Sequence, residues 1–146
     1  MSTTAARAAI EESRSRAALL DYAALLGRIL YSLIFIFSMA SHCRAPYIGY
    51  AASQGVPLAS LAVPLSGIIA GLGGLSIALG YRAKLGAWLI VLFLVPVTLT
   101  MHRFWGLSDP QAAQLQLGMF MKNVSMLGAA LLIARVGSGP LSLRND

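Results

Sequence analysis

The chain has 146 residues, 58% of them hydrophobic and only 11% charged, with a mean hydropathy of +0.74. Soluble domains carry about 25% charged residues, so this composition excludes an ordinary soluble fold, and the length leaves no room for a separate soluble catalytic domain. The net charge of +6 would suggest nucleic acid in a soluble protein. In a membrane protein Lys and Arg instead mark the cytoplasmic ends of spans, so no nucleic-acid partner is expected.

Residues 1–20 are rich in Ala, Ser and Arg and carry Glu11 and Glu12. They lack the basic, apolar, small-residue order of a cleavable signal peptide. They read as a mobile or surface-lying cytoplasmic tail. Four apolar stretches follow, each near the 20 or so residues that a hydrocarbon core of about 30 Å requires. The first covers about 22–40, with Asp21 as its expected N-cap. The second covers 58–80, the third 85–101 after a short turn holding Arg82 and Lys84, and the fourth 115–134. Short connections force neighbouring helices antiparallel. The expected fold is therefore an all-α, antiparallel four-transmembrane-helix bundle over 21–136, with 137–146 as a second cytoplasmic tail.

Orientation follows from the basic residues outside the spans. Arg7, Arg14, Arg16, Arg82, Lys84, Arg135 and Arg144 lie on one side, whereas Arg44 and Arg103 lie on the other. The positive-inside rule puts both termini in the cytoplasm, consistent with a bacterial inner-membrane protein. The opposite side receives the connections 42–57 and 102–114. Their Tyr47, Tyr50, Phe104 and Trp105 suit an interfacial aromatic belt.

Within the second span, Gly67 with Gly71 and Ala70 with Gly74 give two overlapping small-xxx-small patterns, which let helix backbones meet. They mark either tight packing inside the bundle or a docking surface for a partner. Pro64 and Pro96 each remove a helical hydrogen bond.

The polar residues inside the spans carry most of the functional signal. Arg28 and Lys122 each lie about 10 Å into a span at 1.5 Å per residue. A cation at that depth costs about 2.5–3.5 kcal/mol on insertion scales. All five acids, Glu11, Glu12, Asp21, Asp109 and Asp146, fall outside the spans or at their edges. The balancing contacts are thus expected from a ligand, a lipid or another chain. For Arg28, snorkelling to cytoplasmic headgroups competes with an interior contact. Lys122 is joined by Asn123, and both need hydrogen-bond partners in hydrocarbon.

His42 and His102 belong at the same, non-cytoplasmic end. With Cys43 they suggest a metal site, or as a pair a haem, but no HxxxH, CxxC or HExxH spacing supports either, and interfacial histidines are the favoured reading. A lone cysteine forms no internal disulfide. Paired carboxylates, a Ser-His-Asp arrangement and a Gly-rich phosphate loop are all lacking, so no self-contained hydrolase or NTPase chemistry is expected.

Several pieces in order resemble the DoxX family of small four-span membrane proteins. They are GRILYSLIFIFS (27–38), Gly67 with GGLSIALG (73–80), His102-Arg103-Phe104-Trp105, Met121-Lys122-Asn123-Val124 and the ending GSGPLSL. The resemblance implies functional roles for Arg28, His102, Phe104, Trp105, Lys122 and Asn123. It also implies a membrane partner for redox chemistry, sometimes beside quinone. Ala70 stands where many members of that family carry a Glu, and Arg144 replaces an acid usual after the terminal Ser-Leu.

The leading expectation is a quinone-linked or redox-associated membrane subunit without its own redox cofactor, enzymatic only within an oxidoreductase complex. Lys122, Asn123 and His102 would line a ligand cavity with Phe104 and Trp105 at its mouth, and Arg28 would reach up from the other half. The alternative is a structural or assembly subunit of a larger complex, binding lipid, a partner subunit or further copies of itself.

Overall fold

The structure is a computed structural model that describes residues 3–144; Asp146 and the first two residues of the expected tail lie outside them. Five helices run in chain order: α1 (Thr3–His42), α2 (Ala45–Ser53), α3 (Ala59–Leu79), α4 (Ala83–Met101) and α5 (Pro110–Val136). Each of α1, α3, α4 and α5 holds a stretch long and apolar enough to cross a membrane. The protein is an all-α membrane bundle of four spans. In hydrocarbon only such helices, or a closed barrel, satisfy every backbone group.

α1 packs on α3, α3 on α4 and α4 on α5, whereas α1 and α5 barely approach each other. The spans therefore form an arc with a gap between its first and last members. Small residues set the close contacts within that arc. A methyl group at Gly67 would lie 2.5 Å from His42 Cβ, one at Gly71 2.6 Å from Met39 Sδ, and one at Gly74 3.1 Å from Phe35 Cβ. All three belong to the α1–α3 contact. Gly73 meets α4 instead, where a methyl would lie 2.8 Å from the Gly86 carbonyl. Lipid tails are as apolar as Leu, so close van der Waals packing of this kind drives helix association in a bilayer. Ala70 is fully buried with Phe35, Ile77, Ala87, Ile90 and Leu94 in the main core. The small-residue face of α3 is thus covered by the chain itself.

Three sequence expectations are corrected here. From Thr3 onward the expected tail is helical and continuous with the first span. Its Ala, Arg and Glu residues are good helix formers, and no Pro or Gly precedes Gly27. Asp21 accordingly sits inside α1 rather than capping it. The first connection contains a helix, α2, whose first turn includes Pro46. A proline there removes an amide that has no helical partner anyway.

At the end near the termini, Gly80 ends α3 in the left-handed conformation (φ 63°), and Tyr81 N–H donates to the Ser76 carbonyl at 3.0 Å. Gly137 (φ 88°) ends α5 and turns the chain back across this point. Leu143 N–H then donates to Leu79 O at 3.1 Å, and Arg144 N–H to Gly80 O at 3.0 Å.

Candidate functional site

Arg28 lies beneath that returning segment and is buried. Its Nη1 donates to the Ser138 carbonyl and the Ser142 hydroxyl, and its Nη2 donates to the Leu141 carbonyl at 2.9 Å. A regular helix has few carbonyls to offer, because each is bonded within the helix. The irregular segment 138–142 supplies carbonyls outside the helical pairing, and a guanidinium presents a fork of five donors to meet them. Gly80 makes room for the contact, since a Cβ there would lie 2.5 Å from Ser142 Oγ and 2.8 Å from Arg28 Nη1. The expectation that Arg28 needs a ligand, lipid or second chain is corrected: its partners are backbone and hydroxyl oxygens of this chain. It also lies away from the other candidate site residues.

Lys122 is at the other end of the bundle in a different setting. It is exposed and lines a cavity of about 560 Å³ in the gap between α1 and α5, floored by Phe35, Leu94 and Met126. His102 and Asn123 line the same cavity, so three of the sequence candidates are brought together. Asn123 is only 4% exposed, yet no hydrogen bond to its amide exists among the described residues. Its amide atoms are open to the cavity, and the buried side-chain atoms left without a partner among the described residues are Arg28 Nε and Ser32 Oγ. Below the cavity, Tyr31 Oη donates to the Met126 carbonyl at 2.9 Å, a polar tie between α1 and α5.

The two histidines share this cavity, each with Nδ1 engaged. His42 Nδ1 is 2.7 Å from the Ser38 carbonyl, which can only accept, so this nitrogen carries the proton and the neutral ring keeps Nε2 as an acceptor. His102 Nδ1 lies 3.0 Å from Gln116 Oε1. Among the described residues no three His, Cys, Asp or Glu side chains converge as metal ligands. Phe104 and Trp105 do not line the cavity. They form an edge-to-face cluster with Phe120, at centroid separations of 5.2–6.0 Å.

Sequence reasoning missed the contribution of the first connection. Tyr47 and Tyr50 of α2, read as interfacial aromatics, line the cavity, and Tyr47 stacks on His42. Ser38 and His42, one helical turn apart on α1, gave a usable signal, because two polar residues at that spacing share one face.

A second cavity of about 640 Å³ lies between α2, α3 and α4 at the same end. His42, Tyr47, Tyr50, Phe93, Val97 and Met101 line both spaces. The edge contact of His42 with Phe93, at 5.7 Å between centroids, stands where the two adjoin. Pro96 lines this second space, with Thr100 Oγ1 donating to its carbonyl at 2.7 Å.

Comparison with known proteins fixes the family. The chain is 29% identical over 121 residues, 82% of its length, to the inner membrane protein YphA of Escherichia coli (strain K12), covering 86% of that protein. With four apolar spans, this agrees with the expected inner-membrane location. No solved structure is significantly similar. The family whose model matches, over residues 3–146, is SURF4 and not DoxX, so the DoxX resemblance is overturned. The short pieces behind it are glycine pairs, interfacial aromatics and single basic residues. Packing and interface demands place such residues in many small four-span proteins. The chain is an integral inner-membrane protein and belongs to the SURF4 family.

Proposed function

We propose that this protein is a membrane-embedded binding protein whose α1–α5 cavity receives the oxygen-bearing head of an amphipathic molecule from within the bilayer. One observation carries this reading: Asn123 and Lys122 sit side by side on the cavity wall, and the Asn123 amide makes no hydrogen bond among the described residues. A binding cavity of about 300–1,000 Å³ with mostly apolar walls and a few convergent polar groups is typical of small-molecule sites. Here the polar groups are Lys122, Asn123, His102 and His42, set among Phe35, Phe93, Leu94 and Val97. The gap between α1 and α5 offers a sideways route from lipid, which suits a ligand that partitions into membranes.

A quinone, apolar with carbonyl acceptors at its head, is one molecule of this description. The redox role itself rested on the DoxX resemblance and has lost that support. An assembly role draws less support as well, because the small-residue face of α3 is covered by α1.

The test is purification in native lipids, followed by extraction and mass spectrometry of what remains bound. The expected result is one amphiphile class enriched over bulk membrane lipid, and reduced in both Asn123→Leu and Lys122→Met. A bound set identical to bulk lipid, and unchanged by either substitution, would refute the reading. Quinone among the enriched species would name the ligand.

A further inference from the structure

We infer that the ligand is a single-chain anionic amphiphile lying across both cavities, its acidic head at Lys122 and Asn123 and its hydrocarbon chain between α3 and α4. This rests on the binding reading above and adds to it the charge of the head and the place of the chain.

The charge follows from what surrounds Lys122. No Asp or Glu lines either cavity. Among the described residues, the ion pair within the chain joins Arg16 and Glu12 in the first half of α1, well before the cavity. An uncompensated cation at membrane depth costs about 2.5–3.5 kcal/mol. A neutral carbonyl offsets part of that through one hydrogen bond, whereas a carboxylate or phosphate also neutralises the charge. Charge-assisted hydrogen bonds are roughly twice as strong as neutral ones.

The place of the chain follows from the chemistry of the second cavity. The hydroxyls that belong to it alone, on Ser66 and Thr100, are committed to their own helices. Ser66 Oγ donates to Val63 O at 2.7 Å, and Thr100 Oγ1 to Pro96 O at 2.7 Å. At its rim, Arg103 Nη2 donates to the Gln54 carbonyl at 3.2 Å. The rest of the lining is largely aliphatic and aromatic. A cavity of this kind has little to offer water or a polar head and much to offer a hydrocarbon chain. The first cavity adds Lys122, Asn123 and His102, the Asn123 amide making no hydrogen bond among the described residues. A space with Lys122 and Asn123 on its wall and a mainly apolar space that share six wall residues match the two halves of one amphiphile.

Binding of saturated fatty acids of increasing chain length to the purified full-length protein, read by native mass spectrometry, tests the assignment. Ala62→Phe fills the second cavity from its α3 wall, and Ser66→Leu fills it less. Ala62→Phe should shift the preferred chain to shorter acids while short acids still bind, and Ser66→Leu should shift it the same way by less. Lys122→Met should weaken every length by about tenfold or more, the loss of one charge-assisted contact. If both filling variants keep the wild-type length preference while Lys122→Met loses binding, the chain placement is wrong and the head site stands. Loss of the shortest acids with the longest in Ser66→Leu also overturns the placement, because a shortened tail leaves the head its site. If no substitution changes any binding, both the placement and the head site fall.

Discussion

Arg28 and Lys122 are both cations at membrane depth without an acidic neighbour, and the chain treats them in opposite ways. Around Arg28 the protein folds back on itself, and the irregular segment 138–142 gives the guanidinium three oxygen partners. Around Lys122 the helices part, and the neighbouring amide of Asn123 is left without a partner. One end of the bundle is closed by hydrogen bonds, with Arg28 Nε and Ser32 Oγ buried beside them without partners, and the other is open, its polar groups facing a cavity. The difference teaches that a charge in a span is not by itself a functional sign. What separates a structural cation from a candidate ligand contact is whether nearby backbone is irregular enough to offer free carbonyls.

The largest expected effect breaks the closed end. Arg28→Met removes the donors to Ser138, Ser142 and Leu141 and with them the tie between α1 and the returning segment. Each hydrogen bond to a charged group is worth about 1.5–3 kcal/mol, so a loss of about 3 kcal/mol or more is expected. Thermal unfolding in detergent should show a clear fall in Tm, and limited proteolysis should find new cleavage after Gly137. Arg28→Lys should rescue little, because an ammonium lacks the planar fork. An unchanged Tm in Arg28→Met would erase the distinction between the two ends.

Gly67→Ala comes next. Its methyl would press on His42 Cβ, backbone-proximal and unable to swing aside, at a cost of about 1–3 kcal/mol. It should lower Tm and also disturb ligand retention, since His42 lines both cavities. Asn123→Leu sharpens the comparison by its sign. If the amide faces the cavity to meet a ligand, replacing it should leave the Tm of the empty protein no lower while lowering ligand retention. A fall in Tm instead would mean the amide already has a structural partner. Lys122→Met should have the smallest effect on folding, with no measurable change in Tm for the empty protein.

Much of the fold was legible because hydropathy and length alone mark four spans. Lys122, Asn123 and His102 were legible as a group because polar residues in apolar runs stand out. The Arg28 contacts were not, because their partners lie more than a hundred residues away and are mostly backbone carbonyls, which every residue carries. α2 was hidden by Pro46, which looks like a breaker in sequence but is harmless in a first turn. The start of α5 had a readable signal that went unused. Asp109 before Pro110 is an N-cap pattern, and Asp109 Oδ1 accepts from Gln111 N–H at 3.1 Å.

α1 joins the two ends through a single rod. From Arg28 to His42 is about four helical turns, or about 21 Å, so the two side chains leave the helix from nearly the same face. A rigid helix cannot rotate at one end alone. By gripping the guanidinium, the returning chain sets the rotational phase of α1 and thereby clocks His42 against Phe93 and Tyr47. A single residue inserted between Arg28 and His42 would turn that wall by about 100° while leaving every other helix its sequence. The bond network at the sealed end thus acts as an angular reference for the open one.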